Sequence, residues 1–184
     1  MLIRPQLSRG FSVIEMLIGL AIVGLLLKIA LPSYRTWIQN TQIRSAAHAI
    51  VSGMQVARAQ AIARNVPVQL ALTSQADGTG VAWQVNELFP PNGTGAFVEA
   101  WSSAEGASSS QILQAGGGIV TYNSLGRVIA QNPFDNSAPL LQVDVTSSND
   151  AGDAALRNIR VLIGNGGSAR MCDPQLAQPD PRAC

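Results

Sequence analysis

Glu15 lies at the fifth position of an apolar run, Phe11 to Leu31, whose only other charge is Lys28. A helix of that length spans about 31 Å, the thickness of a bilayer's hydrocarbon core. Lys28 is close to the end of the run and can snorkel to the interface. A carboxylate one turn inside lipid costs about 2.5–3.5 kcal/mol or more, so an acidic residue there needs a reason. Ahead of the run stand Met-Leu-Ile-Arg-Pro-Gln-Leu-Ser-Arg-Gly. A secretory signal places a short apolar stretch before a small-residue cleavage site; here the order is reversed, with the charged leader and Gly10 first. A cut after Gly10 would make Phe11 the new terminus. Its amine would lie four residues from Glu15 on the same helix face, and the pair could also form between neighbouring subunits.

Other chemistry has little to build on. One histidine and two cysteines leave little room for a His/Cys metal cage, and a triad or dyad has a single candidate base. His48 has no carboxylate or cysteine nearby and reads as a solvated helix-surface residue. Gly116-Gly117-Gly118 lacks the Gly-Lys-Ser/Thr that completes a P-loop. The serine runs have no paired base. Asp150 and Asp153 share a loop, a weak signal for a cation. No enzyme activity, cofactor or metal is therefore expected. Twelve Lys+Arg against eleven Asp+Glu leave +1, which excludes a broadly basic nucleic-acid binder and an acidic disordered tail. The chain is 47% hydrophobic and only 12% charged, against about 25% charged in an ordinary soluble domain.

Arg9-Gly10-Phe11-Ser12-Val13-Ile14-Glu15 and the apolar run after it resemble the class III signal of type IV pilins and type II secretion pseudopilins. The resemblance implies that a prepilin peptidase in the inner membrane cuts after Gly10 and methylates the Phe11 amine. It implies that Glu15 guides subunit docking, and that Pro32 stands where many pilins carry a helix-kinking proline. Arg4 and Arg9 precede the span while Lys28, Arg35 and Arg44 follow it, so charge bias alone is indecisive. Leader in the cytoplasm and body in the periplasm is the orientation the resemblance implies.

Beyond the span the helix is expected to continue. Ile43, Ala47, Ile50, Met54, Ala57 and Ala61 recur at spacings of four and three, a one-sided apolar stripe. Arg44, His48, Gln55 and Arg58 fall mostly outside it. Asn65 and Pro67 stop the helix. From Phe11 to Arg64 it would be about 80 Å long. The remainder alternates as short strands: Val66 to Thr73, then Val81, Trp83 and Val85, then Phe97 to Trp101, Ile119 to Tyr122, Arg127 to Ala130, Leu140 to Thr146 and Arg157 to Ile163. Turns are expected at 76–80, 89–93 and 124–126, and polar loops at 102–110 and 147–155. Helix first and strands after predict an α+β fold, with antiparallel sheet packed on the helix.

Ala57-Arg58-Ala59-Gln60-Ala61-Ile62-Ala63-Arg64, followed by Val68 and Leu70, resembles the helix-to-strand signature of the GspH/FimT group of minor pilins and minor pseudopilins. Tyr122-Asn123-Ser124-Leu125-Gly126-Arg127 resembles its central hairpin. Arg160-Val161-Leu162-Ile163, through Gly167 to Arg170-Met171-Cys172, resembles its last one. The implied map is a leader at 1–10, a transmembrane segment at 11–31, a periplasmic helix continuation at 32–65 and a β-rich periplasmic body at 66–184. In that compartment Cys172 and Cys184 are expected to be oxidised. The bond would close a ring of about a dozen residues, which stabilises by roughly 3 kcal/mol. The closing Cys172-Asp173-Pro174 and Asp180-Pro181-Arg182-Ala183-Cys184 look more like FimT/FimU-type pilus proteins than like secretion pseudopilins.

The implied function is a non-enzymatic minor pilin of a type IV pilus, acting in assembly near the tip, with other pilin subunits, the prepilin peptidase and the inner membrane as partners. The alternatives are a type II secretion minor pseudopilin and a DNA-binding minor pilin in natural transformation. For the latter, Gly167-Ser168-Ala169-Arg170-Met171-Cys172 matches a Gly-Arg-x-Arg-x-Cys-like motif only at its second arginine, which makes Arg160, Arg170 and Arg182 candidate contacts for DNA or a partner. Alternation places Ile159, Val161 and Ile163 on one face and Arg160 on the other. A two-residue turn would bury Arg170 opposite Val161. A three-residue loop, Asn165-Gly166-Gly167 with one glycine left-handed, sets Arg170 opposite Leu162 instead. The second register is expected, with Arg160 and Arg170 forming one solvent-facing patch beside the disulfide ring.

Overall fold

The computed structural model describes residues 11–73, 80–88, 95–103, 110–115, 118–147 and 155–184. By its contacts the chain falls into two units, one ending at Trp37 and one starting at Ile38. A single helix, α1 (Val13–Arg64), runs through both. In the first unit no side chain from Phe11 to Lys28 is buried; Phe11 is 80% exposed and Leu20 75%. The backbone N–H groups of Glu15 and Met16 both donate to the Ser12 carbonyl, closing the first turn.

In the second unit the stripe does what its spacing predicts. Ile43, Ala47, Ile50, Met54, Ala57 and Ala61 are all buried, with Ala46 beside them, while Arg44, His48 and Gln55 are exposed. Gly53 sits in the same face, close against the sheet. A Cβ there would lie 2.7 Å from the Trp83 indole and 3.0 Å from Leu70, so only glycine permits this approach. The helix ends with Asn65 in the left-handed conformation at φ 55°, a common helix stop. Arg64 pairs with Glu87.

Among the described residues the strands are β1 (Val68–Thr73), β2 (Ala82–Glu87), β3 (Phe97–Ser102), β4 (Ser110–Ala115), β5 (Ile119–Tyr122), β6 (Gln142–Ser147), β7 (Ile159–Ile163) and β8 (Ala169–Cys172). They form two four-stranded antiparallel sheets in the orders β3-β2-β1-β5 and β4-β6-β7-β8. Both feed one core. Val68, Leu70, Val85 and Val120 from the first sheet and Val143, Val145 and Val161 from the second join the helix stripe in a single buried cluster. The α+β architecture is therefore the expected one.

Three local expectations differ or fall elsewhere. β4 was not expected, because Ser-Gln-Ile-Leu-Gln-Ala has no alternation; its pairing with β6, Ser110 opposite Ser147, is a long-range backbone contact that composition does not encode. The segment 127–130 is not a strand and keeps only an isolated bridge, Tyr122 to Val128. A buried polar knot takes over there. The Asn132 amide donates to the carbonyl of Ile119 and to Ser137 Oγ, and its oxygen accepts from the Thr121 hydroxyl at 2.9 Å. The expected turns at 76–80 and 89–93 and the polar loops at 102–110 and 147–155 lie wholly or mostly outside the described residues.

Candidate assembly sites

The first candidate site is the start of α1. Phe11 and Glu15 are both exposed, and Glu15 lies in the first helical turn. Gly10 lies outside the described residues. At the other end of the apolar run Tyr34 and Trp37, one turn apart, stack with ring centroids 6.0 Å apart and are 59% and 63% exposed. Among the described residues this helix is the one long and apolar enough to cross a membrane.

The second candidate site is the last hairpin and the tail behind it. The register is the one the arginine argument requires: Leu162 faces Arg170, and Ile163 faces Ala169. The Gly164 and Gly167 N–H groups close the loop, donating to the Ser168 and Gly164 carbonyls respectively, and Gly167 is left-handed at φ 82°. The loop is therefore Asn165-Gly166-Gly167, and Val161 and Ile163 are free to enter the core.

The expected two-arginine patch needs correction. Arg160 lies directly opposite Asp144 on β6. Its Nε donates to Oδ1 at 2.6 Å and its Nη2 to Oδ2 at 2.9 Å, a two-point clasp that raises the guanidinium pKa above its ordinary value. Arg182 is similarly held: its Nη2 lies 2.9 Å from Asp180 Oδ2, and its hydrogen bonds pull the Asp180 carboxyl down to about 2. Arg157 reaches Asp173 at 3.9 Å. Arg170 is exposed and has no carboxylate partner among the described residues. The sequence carried the strand phase of Arg160 but not its neighbour, because which strand lies beside β7, and in what register, is a tertiary fact.

Cys172 and Cys184 form a disulfide with Cα atoms 5.1 Å apart. The Asp173 N–H donates to the Arg182 carbonyl at 2.7 Å, so the tail is tied at its neck by a backbone bond as well. Ala183 tucks in beside it and is buried. Replacing both cysteines by serine should lower unfolding free energy by about 3 kcal/mol, the entropy released by opening a ring of this size. Urea unfolding of the oxidised protein and the double variant measures it; coincident curves would mean the backbone neck alone orders the tail.

Sequence reasoning missed one further feature, the meeting of the two hairpin turns. The Asn123–Gly126 turn is held by Asn123, whose Oδ1 accepts from the Leu125 and Arg127 N–H groups at 3.0 Å. It packs against the last loop, where the Val128 N–H donates to the Asn165 carbonyl at 3.1 Å. From α1, Arg58 Nε donates to the Gly126 carbonyl at 3.1 Å. Helix, first sheet and second sheet thus meet at Arg58, Gly126 and Gly167. Burial pushes the neighbouring Tyr122 phenol up to about 12, although the Arg58 charge pulls it the other way.

Among the described residues no three His, Cys, Asp or Glu side chains gather as metal ligands, and His48 is exposed on the helix. Asp150 and Asp153 lie outside the described residues.

Residues 46–167 match the family described as type II transport protein GspH. No curated protein sequence matches the chain. In three dimensions it is similar to the type IV minor pilin FimU of Pseudomonas aeruginosa, with TM-score 0.53 at 12% identity over 76% of this chain and 97% of that one. It also matches the minor pseudopilin EpsH of the Vibrio cholerae type 2 secretion system, with TM-score 0.49 at 12% identity over 73% of this chain and 99% of that one.

Proposed function

Because the chain belongs to the GspH family, we propose that it is a minor pilin of a type IV pilus, held in the inner membrane until it enters the filament near its tip. One observation carries this reading. A single helix is apolar on every side over its first half and on one side only over its second. The first half suits lipid or a bundle of like helices; the second suits one globular body. Such an element stores a subunit in a membrane and releases it into a filament core without refolding.

A prepilin peptidase prepares the exchange by cutting after Gly10, which leaves a cationic amine on Phe11. In lipid Glu15 has at most the amine of its own chain, one turn away at the helix end, and stays costly. In the filament the Phe11 amine of a neighbouring subunit joins it, so the exchange of lipid for helices is driven by this pairing as well as by packing. Tyr34 and Trp37 mark the upper edge of the apolar run, where amphipathic rings favour the membrane–water interface. The body then lies in the periplasm, where the disulfide is stable.

The family's description favours a second reading, a minor pseudopilin of type II secretion, which would use the same anchor and the same Glu15 chemistry. The closing Cys172-Asp173-Pro174 and Asp180-Pro181-Arg182-Ala183-Cys184, which resemble those of FimT/FimU-type pilus proteins, support the pilus reading. Glu15→Ala tests both at once. The variant should stay in the membrane, since it loses a polar cost, but its content in sheared filaments should fall at least tenfold. Removing one partner of a pair in apolar surroundings costs about 3–5 kcal/mol, more than enough for that loss. Equal incorporation of variant and wild type would sink the assembly role. Recovery of the wild-type chain in pseudopili but never in sheared pili would decide for secretion.

A further inference from the structure

We propose that the outer face of the second sheet carries a carboxylate-receiving pocket built on Arg170, fitted to an acidic side chain flanked by apolar residues on a neighbouring pilin subunit. A row runs across three strands there, with Gln142 opposite Leu162 and Leu162 opposite Arg170. It lies on the face away from buried Val161 and Ile163. At its end is an open cavity of about 430 Å³, lined by these three residues together with Leu141, Ile163, Gly164 and Ser168. Its walls are of two kinds. Leu141, 42% exposed, and Leu162 present apolar surface, while Ser168 and Arg170 supply hydroxyl and guanidinium donors. At Gly164 a Cβ would stand 3.2 Å from Ser168 Oγ, a tight contact beside the dent.

Charge complementarity selects the occupant. The nearby Arg160 is already clasped by Asp144, so Arg170 is the cation of this face left without a carboxylate among the described residues. A guanidinium on the rim of an apolar dent matches a single carboxylate, which it can bind through two parallel hydrogen bonds. Duplex DNA is a poorer match. It presents one charge per about 1.7 Å and is held by several unpaired cations in a row. Here Arg157, Arg160 and Arg182 are occupied by Asp173, Asp144 and Asp180, carboxylates that would face the phosphates. That the acidic group sits on another subunit rests on the filament reading above; that the pocket takes a carboxylate does not.

The test uses the purified full-length protein in detergent micelles and three probes: acetyl-Leu-Glu-Leu-amide, its Gln counterpart, and a 20-base-pair duplex. Amide resonances of Leu162, Gly164 and Arg170 should shift with the Glu peptide. The Gln peptide should bind about fivefold or more weakly, and so should the Glu peptide to Arg170→Gln, the scale of one charge-assisted pair. Arg170→Lys should keep part of the response. Glu and Gln peptides acting alike would overturn the pocket, as would an unchanged response in Arg170→Gln. So would a duplex that shifts the same amides at lower concentration and loses that effect in Arg170→Gln. Because no filament is involved, failure here leaves the filament reading standing, while failure of filament incorporation leaves this titration intact.

Discussion

Gly167→Ala should destabilise the body by about 3–5 kcal/mol, whereas Gly166→Ala, one residue earlier, should change stability by no more than about 0.5 kcal/mol. Gly167 holds φ 82°, and a Cβ on it would lie 2.0 Å from the Gly126 carbonyl oxygen. Both costs fall on one methyl group. A left-handed conformation costs an L-residue about 1–2 kcal/mol. The clash must then be relieved by moving backbone, since its object is a carbonyl and not the end of a side chain. Moving that carbonyl also pulls it off Arg58, which loosens the helix where both hairpin turns meet it. A Cβ on Gly166 meets nothing within 4 Å. Thermal unfolding of the two variants beside wild type checks the contrast. The Gly167 variant should melt lower by roughly 10 °C or more; equal midpoints would show that the two turns do not in fact bear on each other.

The second large effect concerns processing. With Gly10 replaced by leucine, the leader should remain attached and the chain should be nearly absent from filaments. A peptidase that reaches a bond just outside an apolar helix needs close access to the backbone, which the missing side chain of Gly10 provides. Retention of residues 1–10 keeps Phe11 within a peptide bond, so no cationic amine forms and Glu15 has nothing to meet. Gly10→Leu and Glu15→Ala should therefore share an assembly defect yet differ in mass. Intact-mass measurement of the membrane-extracted protein separates them: wild type and Glu15→Ala should begin at a methylated Phe11, Gly10→Leu at the unprocessed terminus. A wild-type chain in filaments that still begins at Met1 would remove the processing step and, with it, the amine that Glu15 is proposed to bind.

Taken together, the two effects separate the halves of the molecule. Variants at Gly10 and Glu15 should lose entry into the filament and leave the body folded. Gly167 acts on the body and leaves the anchor alone. A variant at Arg170 should do neither, because that side chain is exposed and takes no part in the core.

Whatever depends on near neighbours along the chain was legible in the residues alone. Spacings of three and four put Ile43, Ala47, Ile50, Met54, Ala57 and Ala61 on one face, and all six are buried. Asn65 and Pro67 ended the helix where the structure ends it, at Arg64. The hairpin register followed from a local argument too, since a loop one residue shorter would have buried Arg170. The tertiary structure decided what depends on residues far apart. β4 exists because β6 offers it a row of backbone partners, not because its own residues alternate. Arg160 is neutralised because β6 places Asp144 opposite it, so of the two arginines expected in one solvent-facing patch only Arg170 is left without a carboxylate among the described residues. Arg58, read as a solvent-side residue of the helix, is half-buried because two turns from different sheets converge on it. Helical periodicity and turn chemistry are set by torsions within a few residues. Strand order, charge pairing and turn-to-turn contact are set by which surfaces the collapsed chain brings together, and no local rule carries that information.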